Sequence, residues 1–408
     1  MTGDDIAVTG IGLVTPGGIG TEPTWDAVCA GRATAHTDPV LAEAGAPVRL
    51  ACRVPPRERG RGRLWRFDPA TRFLLTAARE ALASALLDPA RWDAGRVAVV
   101  VGTAAGGIST LEEQHRKLLA SGPGALSPMT LSAFLPNMAA GHLALELGAT
   151  GPSLQTSTAC ASGATAIITA ALLLRAGACD IAVAGGTDAM VTPLCASAFA
   201  KMGALSRREG NPGGASRPFD RDRDGFVLGE GCGVLVLERA AHAAARTVGP
   251  SALLAGYGAT GDAHHPTAPH PEGVGLRAAA REALARAGRS PDEVDHINAH
   301  GTSTVLNDAV EATAIRELYG TGHAPSVTSA KGVLGHTMGA AGAIEAALTV
   351  LSIARGTVPP TANFTAPDAT TAGIDIVRAT TRPQRVGLAL SHSLGFGGHN
   401  TVLAFTAA

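Results

Sequence analysis

Gly151-Pro152-Ser153-Leu154-Gln155-Thr156-Ser157 runs into the loop Thr158-Ala159-Cys160-Ala161 and then into an apolar helix over Ser162–Arg175. Ala324-Pro325-Ser326-Val327-Thr328-Ser329 does the same ahead of a helix over Ala340–Ala354. Around these two stretches the pattern alternates. Short apolar runs at Ile6–Gly12, Arg96–Gly102, Ile181–Gly186, Gly233–Leu237 and Leu253–Gly258 read as buried strands, and strands alternating with helices predict an α/β fold. Ile6–Gly12 and Leu254–Gly258 are alike in placement, and Gly233–Leu237 and Thr401–Phe405 both read as closing strands. Two readings fit. A duplicated α/β unit would set matching loops face to face across a pseudo-twofold axis; alternatively, strands rich in Ala and Gly look alike by chance. Periodicity alone leaves both open.

The composition bounds the function. At roughly 150 residues per domain, 408 residues predict two or three units or a fused pair of similar halves. Hydrophobic residues are 46% and charged ones 16%, which excludes a disordered chain. Lys+Arg 33 against Asp+Glu 34 leaves a net charge of -1, so no bulk attraction to nucleic acid or to an anionic membrane follows. The N-terminus has no basic n-region, and the apolar stretch near 164–174 is shorter than the ~20 residues of a membrane span. A buried helix is the expectation there. The cysteines at 29, 52, 160, 179, 195 and 232 form no C-x-x-C pair and no zinc spacing. A reducing cytoplasm fits them.

Two motifs are set aside. Gly256-x-Gly258-x-x-Gly261 is followed by Asp262-Ala263-His264-His265-Pro266 rather than by a helix, and a dinucleotide site needs that helix. His264, His265 and His270 lie in a Pro-rich loop without a carboxylate pair, so no metal site is expected.

Cys160 is different, because it sits just before a helix. Free backbone N–H groups and the positive end of the dipole favour a thiolate there, which predicts a pKa below the ordinary ~8.5. His300 follows the strand-like Val294–Asn298 and precedes Gly301 and hydroxyls, where α/β proteins place reactive groups. His336 lies in Lys331-Gly332-Val333-Leu334-Gly335-His336, in the loop that parallels Cys160. A lone Lys331 in an apolar stretch needs a carboxylate partner, and Glu311 is the nearest candidate carried by a motif. The tail Leu394-Gly395-Phe396-Gly397-Gly398-His399-Asn400 offers flexible backbone N–H groups to a ligand oxygen, or a tight turn between the strands Leu388–Leu390 and Thr401–Phe405.

Together these motifs resemble the elongating beta-ketoacyl-ACP synthases, the ketosynthase branch of the thiolase superfamily. The resemblance covers nearly the whole chain. It includes Val8-Thr9-Gly10-Ile11-Gly12, Ser216-Arg217-Pro218-Phe219-Asp220 and Arg223-Asp224-Gly225-Phe226-Val227-Leu228-Gly229-Glu230-Gly231, with the Cys, His, Lys–His and Gly-Phe-Gly-Gly segments in family order. It implies a thiolase-like fold, a duplicated five-layered α-β-α-β-α arrangement with pseudo-twofold halves at 1–250 and 251–408. It implies an acyltransferase that joins malonyl-ACP to an acyl chain by decarboxylative condensation, in type II fatty-acid or polyketide biosynthesis. Cys160 would carry the acyl chain. His300 and His336 would serve decarboxylation, with Lys331 and Glu311 in the supporting network. Phe396 matches a gating aromatic. Thr302 and Thr304 match hydroxyls that bind the phosphopantetheine arm, Asp262 and Thr267 fall along the same tunnel, and Ala105 and Phe199 fall at substrate-binding positions.

The resemblance implies no cofactor beyond the arm supplied by the acyl carrier protein, a cytoplasmic enzyme, and a homodimer or a heterodimer with a chain-length factor. A chain-length factor itself typically lacks the cysteine, and a thiolase would use a second cysteine and no Lys331–His336 pair. Two departures stand out. Ser391-His392-Ser393-Leu394 replaces something like Asn-Ser-Phe, and Ala105 replaces a bulkier residue that often closes the acyl pocket, so Ala105→Phe is expected to shorten products. Arg57, Arg59, Arg61, Arg63 and Arg66, or the Arg207–Arg208 pair, are candidate docking sites for an acidic carrier.

Overall fold

Ile6–Thr15 carries no charged residue and forms a strand, β1, with every side chain buried, as in sheets covered on both faces. The computed structural model describes residues 5–56, 67–320 and 324–408. After β1 come helix α1 (Pro69–Ser84), strand β2 (Val97–Gly102), helix α2 (Met138–Leu147), strand β3 (Ser153–Thr156), helix α3 (Ser162–Arg175) and strands β4 (Ile181–Asp188) and β5 (Gly231–Arg239). The series then repeats as β6 (Ala252–Gly261), α4 (Val274–Ala287), β7 (His296–Asn298), α5 (Val305–Tyr319), β8 (Ser326–Thr328) and α6 (Ala341–Arg355). A short extra strand, β9 (Asp375–Ile376), precedes β10 (Leu388–Gly395) and β11 (His399–Thr406).

The strand order is β9-β8-β7-β10-β11-β6-β1-β5-β4-β2-β3. Outward from the central pair, one side reads β1, β5, β4, β2, β3 and the other β6, β11, β10, β7, β8. On each side the first two pairings are antiparallel and the next two parallel. The seam between the sides is short, with Ile6–Val8 antiparallel to Ala252–Leu254. Here is the duplication that periodicity left open.

The symmetry reaches single residues. A bulge interrupts β1 between Val8 and Gly10, and β6 between Leu254 and Gly256. A Cβ on Gly10 or Gly12 would fall 2.1 or 1.9 Å from the carbonyl oxygens of Ala81 and Ala77 in α1. One on Gly256 or Gly258 would fall 2.0 or 1.9 Å from those of Ala283 and Ala279 in α4. The Gly256-x-Gly258-x-x-Gly261 spacing therefore records a close strand–helix approach inside β6, not a phosphate loop.

Five layers result. Helices α1 and α2 pack Leu74, Ala78 and Leu143 on Val99, Val183 and Val234. Helices α4 and α5 pack Leu276, Ala283 and Ile315 on Ile297, Leu390 and Val402. Between the two sides of the sheet lie α3 and α6, with Ala164, Ile167, Ala343 and Ile344 against Val100, Leu235, Ala389 and Phe405. They touch through small residues: a Cβ on Gly163 would lie 2.8 Å from Ala343 N, and one on Gly342 would lie 2.9 Å from Ala164 N. Met338–Arg355 is long and apolar enough to cross a membrane, but 89% of it is buried inside the fold, as a core helix is. The loops after β3, β7 and β8 each leave the C-terminal end of a parallel strand of their own half, where α/β folds hold ligands.

Candidate active site

Cys160 occupies the turn between β3 and α3. Ala159 before it takes a positive φ of 49°, and Ala161 and Ser162 spend their N–H groups on Thr158 O (3.0 Å) and Ala159 O (3.1 Å). The backbone N–H of Phe396 faces Sγ and favours its thiolate form. Gly395 permits this: a Cβ there would lie 2.4 Å from Thr158 O and 3.3 Å from Cys160 N. Cys160 is 8% exposed. Burial pushes its thiol up to about 12, against the pull of the Lys331 ammonium. The expected depressed pKa is thus overturned. The first N–H groups of the turn are already bound, and the sulfur sits among apolar side chains including Phe226 and Met338.

His300 follows β7 directly. Its Nδ1 lies 3.3 Å from Lys331 Nζ. An ammonium only donates, so the ring proton is assigned to Nε2. His336 follows a single turn of helix, Lys331–Leu334, and its Nδ1 accepts the Met338 N–H at 3.3 Å. That again leaves the proton on Nε2. The two rings stand 5.3 Å apart and nearly perpendicular, at 84°. Burial, then the Lys331 charge, holds both well below the ordinary histidine range. Both are therefore neutral donors at physiological pH.

Lys331 is 2% exposed. Its ammonium donates to His300 O at 2.7 Å and is ion-paired with Glu345 on α6. The expected Glu311 partner is a correction. Glu311 Oε1 accepts the His300 N–H at 2.8 Å and lies 3.1 Å from His392 Nδ1, and its Oε2 accepts the Gly301 N–H at 2.7 Å. Its lone pairs hold the His300 turn. Burial pushes the Glu345 carboxyl up to about 7, and the Lys331 ammonium opposes that rise. Sequence reading missed Glu345, though a single carboxylate inside the apolar run of α6 was a usable signal.

One cavity of about 290 Å³ is lined by Cys160, His300, His336 and Phe396, and also by Phe199, Thr302, Thr304, Asp262 and Thr267. Thr302 and Thr304 hydroxyls lie 2.9 Å apart. Asp262 accepts from Asn400 Nδ2 at 2.8 Å and from the His270 N–H at 3.0 Å. Phe199 stacks towards Phe396, with centroids 6.3 Å apart. Phe226, Met338 and Leu394 are among the further apolar residues of the lining, and none of the three is a site residue in the sequence reading. Ala105 is not in this lining. It sits half-buried on a turn whose N–H groups face Asp188, Ala104 at 2.9 Å and Ala105 at 3.4 Å. Lys331 and Glu311 stand behind the histidines, out of the lining.

His265 Nδ1 accepts the N–H groups of Thr267 and Ala268 at 3.1 and 3.0 Å, a turn-forming role. Arg57, Arg59, Arg61, Arg63 and Arg66 lie outside the described residues. Arg207 is exposed, whereas Arg208 is ion-paired at 3.5 Å with Asp224, which lines the cavity.

Residues 3–243 match the family Beta-ketoacyl synthase, N-terminal domain, and residues 251–365 match Beta-ketoacyl synthase, C-terminal domain. The chain is 40% identical over 406 residues to a 3-oxoacyl-[acyl-carrier-protein] synthase 2 of Synechocystis sp., covering 98% of this chain and 97% of that protein. A Staphylococcus aureus protein of the same name is 41% identical over 341 residues, 83% of this chain and 82% of its own. Among solved structures, a type II polyketide synthase ketosynthase in complex with its acyl-carrier protein and a hexaketide superposes with a TM-score of 0.92 at 32% identity, covering 99% of both chains. The ishigamide ketosynthase/chain length factor gives 0.91 at 33% identity, also over 99% of both. By both halves of its sequence and by its duplicated fold, the chain is a member of the beta-ketoacyl synthase family.

Proposed function

We propose that this chain is a ketosynthase of type II fatty-acid or polyketide biosynthesis, and that Cys160, His300, His336 and Phe396 carry its chemistry. The supporting observation is that one cavity holds the thiol, both imidazoles and the Phe396 turn. In the first step the Cys160 thiol exchanges with an acyl thioester of the carrier protein. A C–S bond forms at Cys160, the pantetheine C–S bond breaks, and the proton passes from one thiol to the other. The exchange needs no net proton, which suits a sulfur held as a thiol.

In the second step malonyl-ACP loses CO2, and the electrons of the broken C–C bond move onto the thioester carbonyl as an enolate. The Nε2–H groups of His300 and His336 donate to that oxygen. The enolate carbon then attacks the acyl-Cys160 carbonyl, whose oxyanion the Phe396 N–H would hold. Collapse expels the sulfur, which takes up one proton. Thr302 and Thr304 would bind the phosphopantetheine arm, with Asp262 and Thr267 along its path. The carrier brings that arm, so no further cofactor is called for.

Arg207, exposed and bonded through its backbone N–H to the cavity-lining Asp224, would contribute to carrier docking. The assembly would be a homodimer or a heterodimer with a chain-length factor, in the cytoplasm; six free cysteines fit that compartment. We also divide the chain at 250/251, supported by family matches that end at 243 and resume at 251. The test is to supply acyl-ACP and malonyl-ACP and follow CO2, 3-oxoacyl-ACP and the intact mass of the enzyme. Acylation at Cys160 and its loss, with condensation, in Cys160→Ala are expected. Condensation by Cys160→Ala would overturn the assignment.

A further inference from the structure

Leu390 and Leu394 on β10 face the apolar layer beneath α4 and α5. The two-residue period of a strand puts His392 between them on that face, and only 1% of it is exposed. A leucine would fit this layer without polar cost, whereas an imidazole is expensive unless its nitrogens are paired. His392 Nδ1 lies 3.1 Å from Glu311 Oε1, but Nε2 has no partner among the described residues. A ring half-satisfied in an apolar layer calls for an explanation other than stability.

What Nδ1 reaches supplies one. The same Glu311 oxygen accepts the His300 N–H at 2.8 Å, the other accepts the Gly301 N–H at 2.7 Å, and Asn307 Nδ2 lies 3.4 Å from it. The turn that Glu311 grips is tight: Gly301 has a φ of +36°, and a Cβ there would lie 2.7 Å from Ser329 Cβ and 2.8 Å from the Phe219 ring. His392 also stands on the strand that leads into Phe396. One side chain thus links the strand approaching Cys160 to the turn that carries His300.

We propose that His392 is a positioning residue. As an Nδ1–H donor it fixes Glu311, and through Glu311 the His300–Gly301 backbone, so that His300 Nε2 points at the malonyl thioester oxygen. The inference rests on the ketosynthase reading above.

The test compares His392→Leu with His392→Asn, which keeps a donor. Misplacing a donor by an ångström is costly to rate, so His392→Leu should lose about tenfold in CO2 release from malonyl-ACP while Cys160 acylation stays within about twofold. It should melt no lower than the natural protein, since leucine suits the layer. His392→Asn should restore most of the decarboxylation. Unchanged CO2 release in His392→Leu, or equal loss of acylation and decarboxylation, would overturn the proposal. Should the leucine variant not fold, His392→Ser, too short to reach Glu311, takes its place under the same criteria. If the natural protein released no CO2, the ketosynthase reading would fail instead. Imidazole nitrogen NMR then decides for His392: a proton on Nδ1 and a shifted His300 resonance in the variant uphold it, and a proton on Nε2 alone refutes it.

Discussion

The loop ahead of α3 and the loop ahead of α6 occupy matching places in the two halves, yet they differ in what they bury. Cys160 sits among Ala, Phe and Met side chains, and α3 has no charged residue before Arg175. In the other half an ion pair, Lys331 with Glu345, stands behind two neutral imidazoles. With Gly163 and Gly342 as equivalent contact points, Ala166 stands where α6 carries Glu345. On the ketosynthase reading proposed above, one scaffold would support two jobs. The helix behind the proposed nucleophile carries no charge before its last residue, whereas the helix behind the proposed proton donors carries the carboxylate that pairs with Lys331.

Making the second half resemble the first tests this most strongly. Lys331→Met leaves Glu345 buried without its cation, and breaking a buried pair from one side costs about 3–5 kcal/mol. Chemical denaturation should show that loss, and Lys331→Met/Glu345→Leu should recover most of it. The double variant should still be poor at decarboxylation, because His300 Nδ1 no longer receives a donor. If the single variant lost no stability, the ion pair would not be what the half is built around. Next in size is the donor itself. His336→Ala should lower CO2 release on the order of 10²–10³-fold, with Cys160 acylation retained. Equal loss of both steps would mean that the two halves do not divide the labour as described.

Where the halves agree, matched substitutions should agree too. Gly12→Val and Gly258→Val each drive a side chain into a helix carbonyl 1.9 Å from the Cβ position. Overpacking of this kind costs about 1–3 kcal/mol or more. The two losses should be similar in urea denaturation. A clearly smaller loss in one half would mean that its strand–helix contact relaxes, and that the symmetry is one of topology alone.

Much of this was legible in the sequence, for local reasons. The strands were visible as uncharged runs, and the structure extends them mainly where bulges and Gly residues had disguised continuity, as from Gly12 to Thr15. Cys160, His300 and His336 each stand at a strand end or helix start beside small residues, and those loops line one cavity. Glu345 was not found. Its partner lies fourteen residues earlier across a turn whose path is set by β8, Gly335 and the packing of Leu334, not by spacing. The raised Cys160 pKa is not legible in the sequence, because a helix start is visible there and the apolar cover of distant segments is not. The acyl pocket position at Ala105 was carried by resemblance, and the cavity around Cys160 does not reach it.

The smallest effect separates the halves by proton uptake. Burial, reinforced by Lys331, depresses both His300 and His336 in the folded protein. Below the ordinary pKa of 6.5 the unfolded chain therefore binds protons that the folded chain refuses, and stability falls as pH drops through that window. Glu345 acts in the opposite sense. Its folded pKa, raised to about 7 from 4.5, makes the folded chain the better proton binder between those values, so its contribution is lost as pH rises. Melting curves at intervals from pH 7.5 to 5 should show the two slopes partly cancelling. His300→Asn should flatten the acid-side loss, and Glu345→Gln should expose it. CO2 release should stay level from pH 8 to 6.5 and fall only well below, because both rings keep their Nε2 protons and stay neutral throughout that range. An acid limb with its midpoint at or above 6.5 would mean that at least one ring is charged in the working site. The proposed pairing of a neutral thiol with two neutral imidazole donors would then be wrong.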